Sequence, residues 1–211
     1  MSSNRILLVC LRMGRIFAFL LFGFFAGRAA AQQDQATWHV LIEPAFMHPA
    51  VSFPIPGARR TVLVPVYINK GGDGDPQYFS KKDWDAAGLT WDTFRARAAR
   101  NATEKKISGE MIRDRNKVVQ YAAISSKDPL TATMILEPGF LKKFQDTFGS
   151  TILVSVPNRF TVYVFPALAS EYKEYSPMVI RAYEDSAYPV SLEVFEISGN
   201  GIRAVGAFEN E

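Results

Sequence analysis

The chain has 211 residues, with 24 basic and 21 acidic side chains and a single cysteine, Cys10. Four basic residues (Arg5, Arg12, Arg15, Arg28) and no acidic one fall in residues 1–31, which leaves 20 basic against 21 acidic over the other 180 residues. A near-neutral body without cysteine excludes disulfides, thiolate nucleophiles and cysteine-based metal sites, and its charge offers no case for nucleic acid or an anionic membrane.

In chain order, residues 16–26 (IFAFLLFGFFA) form an apolar block between Arg12 and Arg15 on one side and Ala29, Ala30 and Ala31 on the other. Basic flank, short apolar core and small residues before a cut are the parts of a secretory signal, with cleavage expected after Ala31. The block is too short for a ~30 Å hydrocarbon core, which takes about 20 residues, so no stable membrane span is expected after cleavage. Met1 and Met13 are alternative starts. Residues 32–211 then read as a single domain, periplasmic or secreted and long enough for one core of its own.

Residues 38–43 (WHVLIE) read as a strand. Pro44, Pro49, Pro54 and Pro56 are expected to rule out regular structure over 44–60 and leave a loop packed over the sheet. Residues 61–68 (TVLVPVYI) read as a second strand, at an edge or bulged at Pro65, which has no N–H to donate. A turn over 69–76 leads to two punctuated helices. Ser80 caps the first, with Asp83 three residues on, Phe79 poised to staple on Trp84, and Gly88 at its end. Thr90 caps the second, Asp92 suits its N-terminal dipole and Leu89 can staple on Phe94. Its apolar stripe is Trp91, Phe94, Ala98 and Ala102, and Lys105 and Lys106 end it.

Residues 110–113 and 118–124 read as paired strands across Arg115 and Asn116. Pro138 opens and Gly149 closes a helix over 140–148 with Phe140, Leu141, Phe144 and Phe148 on one face. Residues 151–165 (TILVSVPNRFTVYVF) read as a hairpin turning at Pro157 and Asn158, apolar on both faces and therefore central to a sheet covered on both sides. A helix is expected over 177–186 after a turn or short helix at 167–175. A last hairpin over 190–197 and 201–208 turns on Asn200 and Gly201. The whole is α+β: a largely antiparallel sheet built from hairpins, with several helices packed on it.

Four stretches in this order resemble the YtpQ-like family of bacterial proteins: YFSKKDWDAAGLTWDTFRARAARN at 78–101, the strand, Asp-containing loop and Leu-rich helix at 120–141, the central hairpin, and the closing hairpin at 188–208. The resemblance spans roughly residues 40–208. It implies the α+β fold, but the family has no established activity, so it implies no catalytic residue. This chain departs from the family in beginning with an export signal.

His39, Glu43 and His48 are the candidate metal set. His39 and Glu43 share a strand face, His48 returns from the proline-rich loop, and two histidines with a carboxylate suit zinc or iron. The spacing matches no helical zinc motif. Asn69, Asp73 and Asp75 look like a calcium loop, but its twelfth position is Ser80, where a bidentate Glu belongs. Ser170 and Lys173 have the Ser-x-x-Lys spacing of penicillin-recognising enzymes without their partner motifs. Arg95, Arg97 and Arg100 would be phosphate contacts in a helix-turn-helix; an export signal argues against nucleic acid, which leaves a solvated face, or a basic face toward anionic envelope glycans or lipids. Aromatic residues over 46–53 mark a place for a ligand groove. The expected function is an exported, non-catalytic binding protein whose partner is a protein or small ligand of the cell envelope; the alternative is a metal-dependent envelope hydrolase using His39, Glu43 and His48.

Overall fold

The computed structural model describes residues 36–70, 74–102, 109–167 and 172–208. The segment read as an export signal (residues 1–31), Asp73, Lys105, Lys106 and Ser170 lie outside the described residues. Strands are β1 (Ala36–Pro44), β2 (Phe53–Pro54), β3 (Thr61–Asn69), β4 (Gln77–Tyr78), β5 (Glu110–Arg113), β6 (Val119–Ser125), β7 (Thr151–Asn158), β8 (Thr161–Pro166), β9 (Glu193–Ser198) and β10 (Gly201–Ala207). Helices are α1 (Lys81–Ala86), α2 (Trp91–Ala102), α3 (Phe140–Phe148) and α4 (Ser176–Glu184), with 3-10 turns at Ala45–Met47, Thr131–Leu136 and Tyr172–Tyr175. The fold is α+β with antiparallel sheets, as the hairpin pattern requires.

The described strands form two sheets rather than one. The larger has the order β10-β9-β7-β8-β6-β5, which puts the central hairpin in its middle. Ile152, Val154, Val156, Val162 and Val164 line one face under α3 and the Thr131–Leu136 turn. Leu153 and Phe165 line the other, under Val179 and Ile180 of α4. Because both faces are covered, the strands read as continuous apolar runs.

The hairpin turn lies two residues later than the sequence indicates. Asn158 pairs with Thr161, and the ladder shifts register between Ser155 and Asn158. Pro157 therefore sits in a bulge, where its missing N–H costs no ladder bond. Asn158 still makes the turn: its side chain accepts from the Phe160 N–H at 2.9 Å and donates to the Ala182 carbonyl at 2.8 Å.

The smaller sheet is built on β3. β1 pairs along its whole length on one side. The other side is met only by β2 at Val62 and Leu63 and by β4 at Val66 and Tyr67, and Pro65 falls in the gap between them. β1 alternates regularly, so Trp38 faces α1 and α2 while Leu41 faces Val64, Val66 and Leu130 on the opposite side. Trp38 stacks on Phe94 at 5.1 Å, and Phe79 meets Trp84 edge-on at 5.7 Å. The caps form as the sequence directs: the Asp83 N–H donates to Ser80 Oγ at 3.1 Å and the Thr93 N–H to Thr90 Oγ1 at 3.3 Å.

The proline-rich loop is tied to the larger sheet. The Ala204 N–H donates to the Pro56 carbonyl at 2.8 Å. Gly57 has φ 77°, and a Cβ there would lie 2.5 Å from the Ala204 carbonyl oxygen, so only glycine fits this approach. Buried Glu193 accepts from the N–H groups of Arg59 (2.7 Å) and Arg60 (3.2 Å) and from the Thr61 hydroxyl (2.6 Å).

Candidate functional site

A cleft of about 600 Å³ opens where the two sheets and α2 meet. α2 contributes one stripe, Trp91, Arg95, Ala98 and Ala99, spaced by helical turns. Val40 and Leu63 of the smaller sheet, with Pro54 and Pro56 of the loop, form a second wall. The third comprises Ile135, Leu136 and Leu141, and the tip of the β9–β10 hairpin closes the end with Ile197 and Ile202. The walls are thus mostly aliphatic and aromatic. Polar groups at the lining are few: His39, Arg95, Thr133, Glu137 and Ser198. Volume and lining are those of a small-molecule site: an apolar body of space with a few placed polar groups.

No residue of 46–53, where a groove is expected, lines the cleft itself; the prolines that follow do. Pro54 and Pro56 line the cleft, and Phe53 stacks on Trp91 at 4.3 Å to brace its wall. Val51 joins the aromatic core, whereas Phe46 and Met47 stand exposed at the loop tip. The cleft itself has no local signature, because it draws on segments more than a hundred residues apart. The apolar side of α2 was the nearest signal.

The three residues proposed as metal ligands have separate surroundings. His39, beside the cleft, hydrogen-bonds through Nε2 with Thr37 Oγ1 at 3.1 Å. His48 is exposed, at the end of the Ala45–Met47 turn with φ 46°. Glu43 is buried, and its Oε1 accepts from Arg159 Nη2 at 2.6 Å and from the Tyr78 hydroxyl at 3.2 Å. Among the described residues no group of three His, Cys, Asp or Glu side chains is placed to hold a metal ion. The carboxylate of the proposed set is held by a guanidinium instead.

Arg97, one of the three arginines of α2, lies over the Trp38 ring with its guanidinium carbon 3.8 Å from the centroid. Arg95 instead lines the cleft. Arg95 and Arg97 therefore do not share one phosphate-binding row.

Burial raises the Glu43 pKa above 4.5; the charge of Arg159, its hydrogen bond and that of Tyr78 pull in the opposite direction. The Tyr78 hydroxyl is raised above 10.0, by burial first and by the Glu43 charge second. Arg159 also lines a second cavity of about 390 Å³ with Lys127, Phe160 and Tyr188.

Compared with family models, with curated proteins and with solved structures, the chain matches none. Among the described residues no helix is long and apolar enough to cross a membrane.

Proposed function

We propose that the protein is an exported, non-catalytic binder of a small amphipathic molecule of the cell envelope, held in the cleft between the two sheets and α2. The cleft carries this reading: about 600 Å³, walled by Val40, Leu63, Ile135 and Leu141, with the Arg95 cation at its lining. Burying an apolar body there removes it from water at roughly 25 cal/mol per Å². A single anionic group on the ligand would meet Arg95, which is exposed and holds no ion pair among the described residues. A fatty carboxylate has this chemistry. The apolar block at 16–26 supports export.

Titration calorimetry of the purified protein with decanoate tests the proposal. Saturable binding is expected. Ala99→Trp, on the half-buried cleft side of α2, should abolish it by filling the space, while Arg95→Ala should weaken it about tenfold, or ~1.4 kcal/mol. Decanoate heats that do not saturate, or that Ala99→Trp leaves unchanged, would remove the cleft as the binding site.

A further inference from the structure

The Arg159 guanidinium carries more donors than the protein uses. Its Nη2 serves both the Glu43 carboxylate at 2.6 Å and the Tyr78 hydroxyl at 2.5 Å. Its Nε and Nη1 hydrogen-bond to none of the described residues. The side chain is nevertheless only 15% exposed. Neither nitrogen is a fully buried orphan, so these N–H groups stay open to solvent and to an incoming acceptor.

The guanidinium is also held in place. Arg159 occupies the two-residue turn between β7 and β8; its N–H donates to the Tyr188 carbonyl at 3.2 Å and its carbonyl accepts from the Ala132 N–H at 3.0 Å. Its guanidinium carbon lies 5.3 Å from the Tyr188 ring centroid, and Tyr188 meets Phe160 edge-on at 5.8 Å. Cation and aromatic wall are therefore fixed before any ligand arrives, which lowers the ordering cost of binding.

We propose that the second cavity, about 390 Å³, binds a small organic carboxylate, with its oxygens on Arg159 and Lys127 and its apolar body against the Tyr188 ring. Glu43 already balances Arg159, so the exposed Lys127 supplies the charge that attracts the anion and Arg159 supplies directed donors. Asp75 lines the same cavity, and its carboxylate repels a second negative charge. The site therefore favours a monoanion over phosphate. It is separate from the cleft and does not depend on a ligand there.

The test is a titration of the purified protein with benzoate, followed by the backbone amide NMR signals. Saturable shifts at Arg159, Phe160 and Tyr188 are expected, with inorganic phosphate producing none. Lys127→Glu and Tyr188→Ala, both at exposed positions, should each raise the apparent Kd at least fivefold while leaving distant signals unchanged. Ala99→Trp, in the other cleft, should leave benzoate binding intact. Shifts that never saturate, equal shifts with phosphate, or a Kd indifferent to both Lys127→Glu and Tyr188→Ala would overturn the assignment.

Discussion

At the scale of single residues, Glu43 shows why a side chain can be assigned the wrong partner. The group that satisfies it is Arg159, 116 residues away. No spacing rule spans that distance. The pairing has a measurable pH signature. Because burial raises the pKa of Glu43 in the folded chain, the native state binds more protons than the unfolded one between the ordinary carboxylate value and the raised one. Stability relative to Glu43→Gln should therefore be greatest in acid, fall as pH rises through that window, and level off above it. Chemical denaturation of both proteins across pH checks this; a difference that grows with pH would show the sign to be wrong. Arg159→Ala should cost about 3–5 kcal/mol near neutral pH, since it strands a buried carboxylate, and the loss should shrink in acid as Glu43 takes up a proton.

Among the elements, those with local punctuation were the legible ones. Ser80 and Thr90 announce α1 and α2 and perform the capping they announce, and Ser80→Ala should lower stability by about 1 kcal/mol in thermal or chemical unfolding. Helix α3 follows from its row of phenylalanines between Pro138 and Gly149. The central hairpin was placed correctly but its turn was not, because Pro157 is as much at home in a bulge as in a corner. Strands β2 and β4, two residues each, leave no periodic trace. The proline-rich loop illustrates the limit most clearly. Its prolines keep regular structure short rather than absent, since β2 and the Ala45–Met47 turn form there, and what fixes its course is Glu193, whose carboxylate receives the Arg59 and Arg60 N–H groups and the Thr61 hydroxyl. Glu193→Ala should cost about 3 kcal/mol, as it leaves these donors at the loop end without their charged acceptor. It should also speed hydrogen exchange at the Arg59 and Arg60 amides before other regions loosen. Unchanged exchange there would mean that the loop is held by other contacts.

For the molecule as a whole, the continuous apolar pattern of residues 151–165 identified the middle of the larger sheet, since strands covered on both faces need no polar side. The division into two sheets was not visible, because it depends on which hairpin edges meet and on a shared core in which Ile42 and Ile55 pack with Val154 and Phe195. The same division creates the cleft, so the candidate site was illegible for the reason that the fold was only half legible: both arise from contacts between distant segments. The apolar centre supplies the strongest test of the architecture. Val154 and Val162 are fully buried, between α3 on one side and the neighbouring strands. A carboxylate at either position would meet no cation, and an unpaired buried charge costs several kcal/mol even after relaxation. That is comparable with the whole stability of a domain, about 5–15 kcal/mol. Val154→Asp or Val162→Asp should therefore abolish cooperative unfolding at neutral pH. Val205→Asp, at an exposed position of strand β10 in the same sheet, should change stability by less than about 0.5 kcal/mol. Circular dichroism melts of the three variants separate the cases: a cooperative, near-native transition for Val154→Asp would move β7 out of the core, and a collapse of Val205→Asp would mean that β10 has a covered outer face.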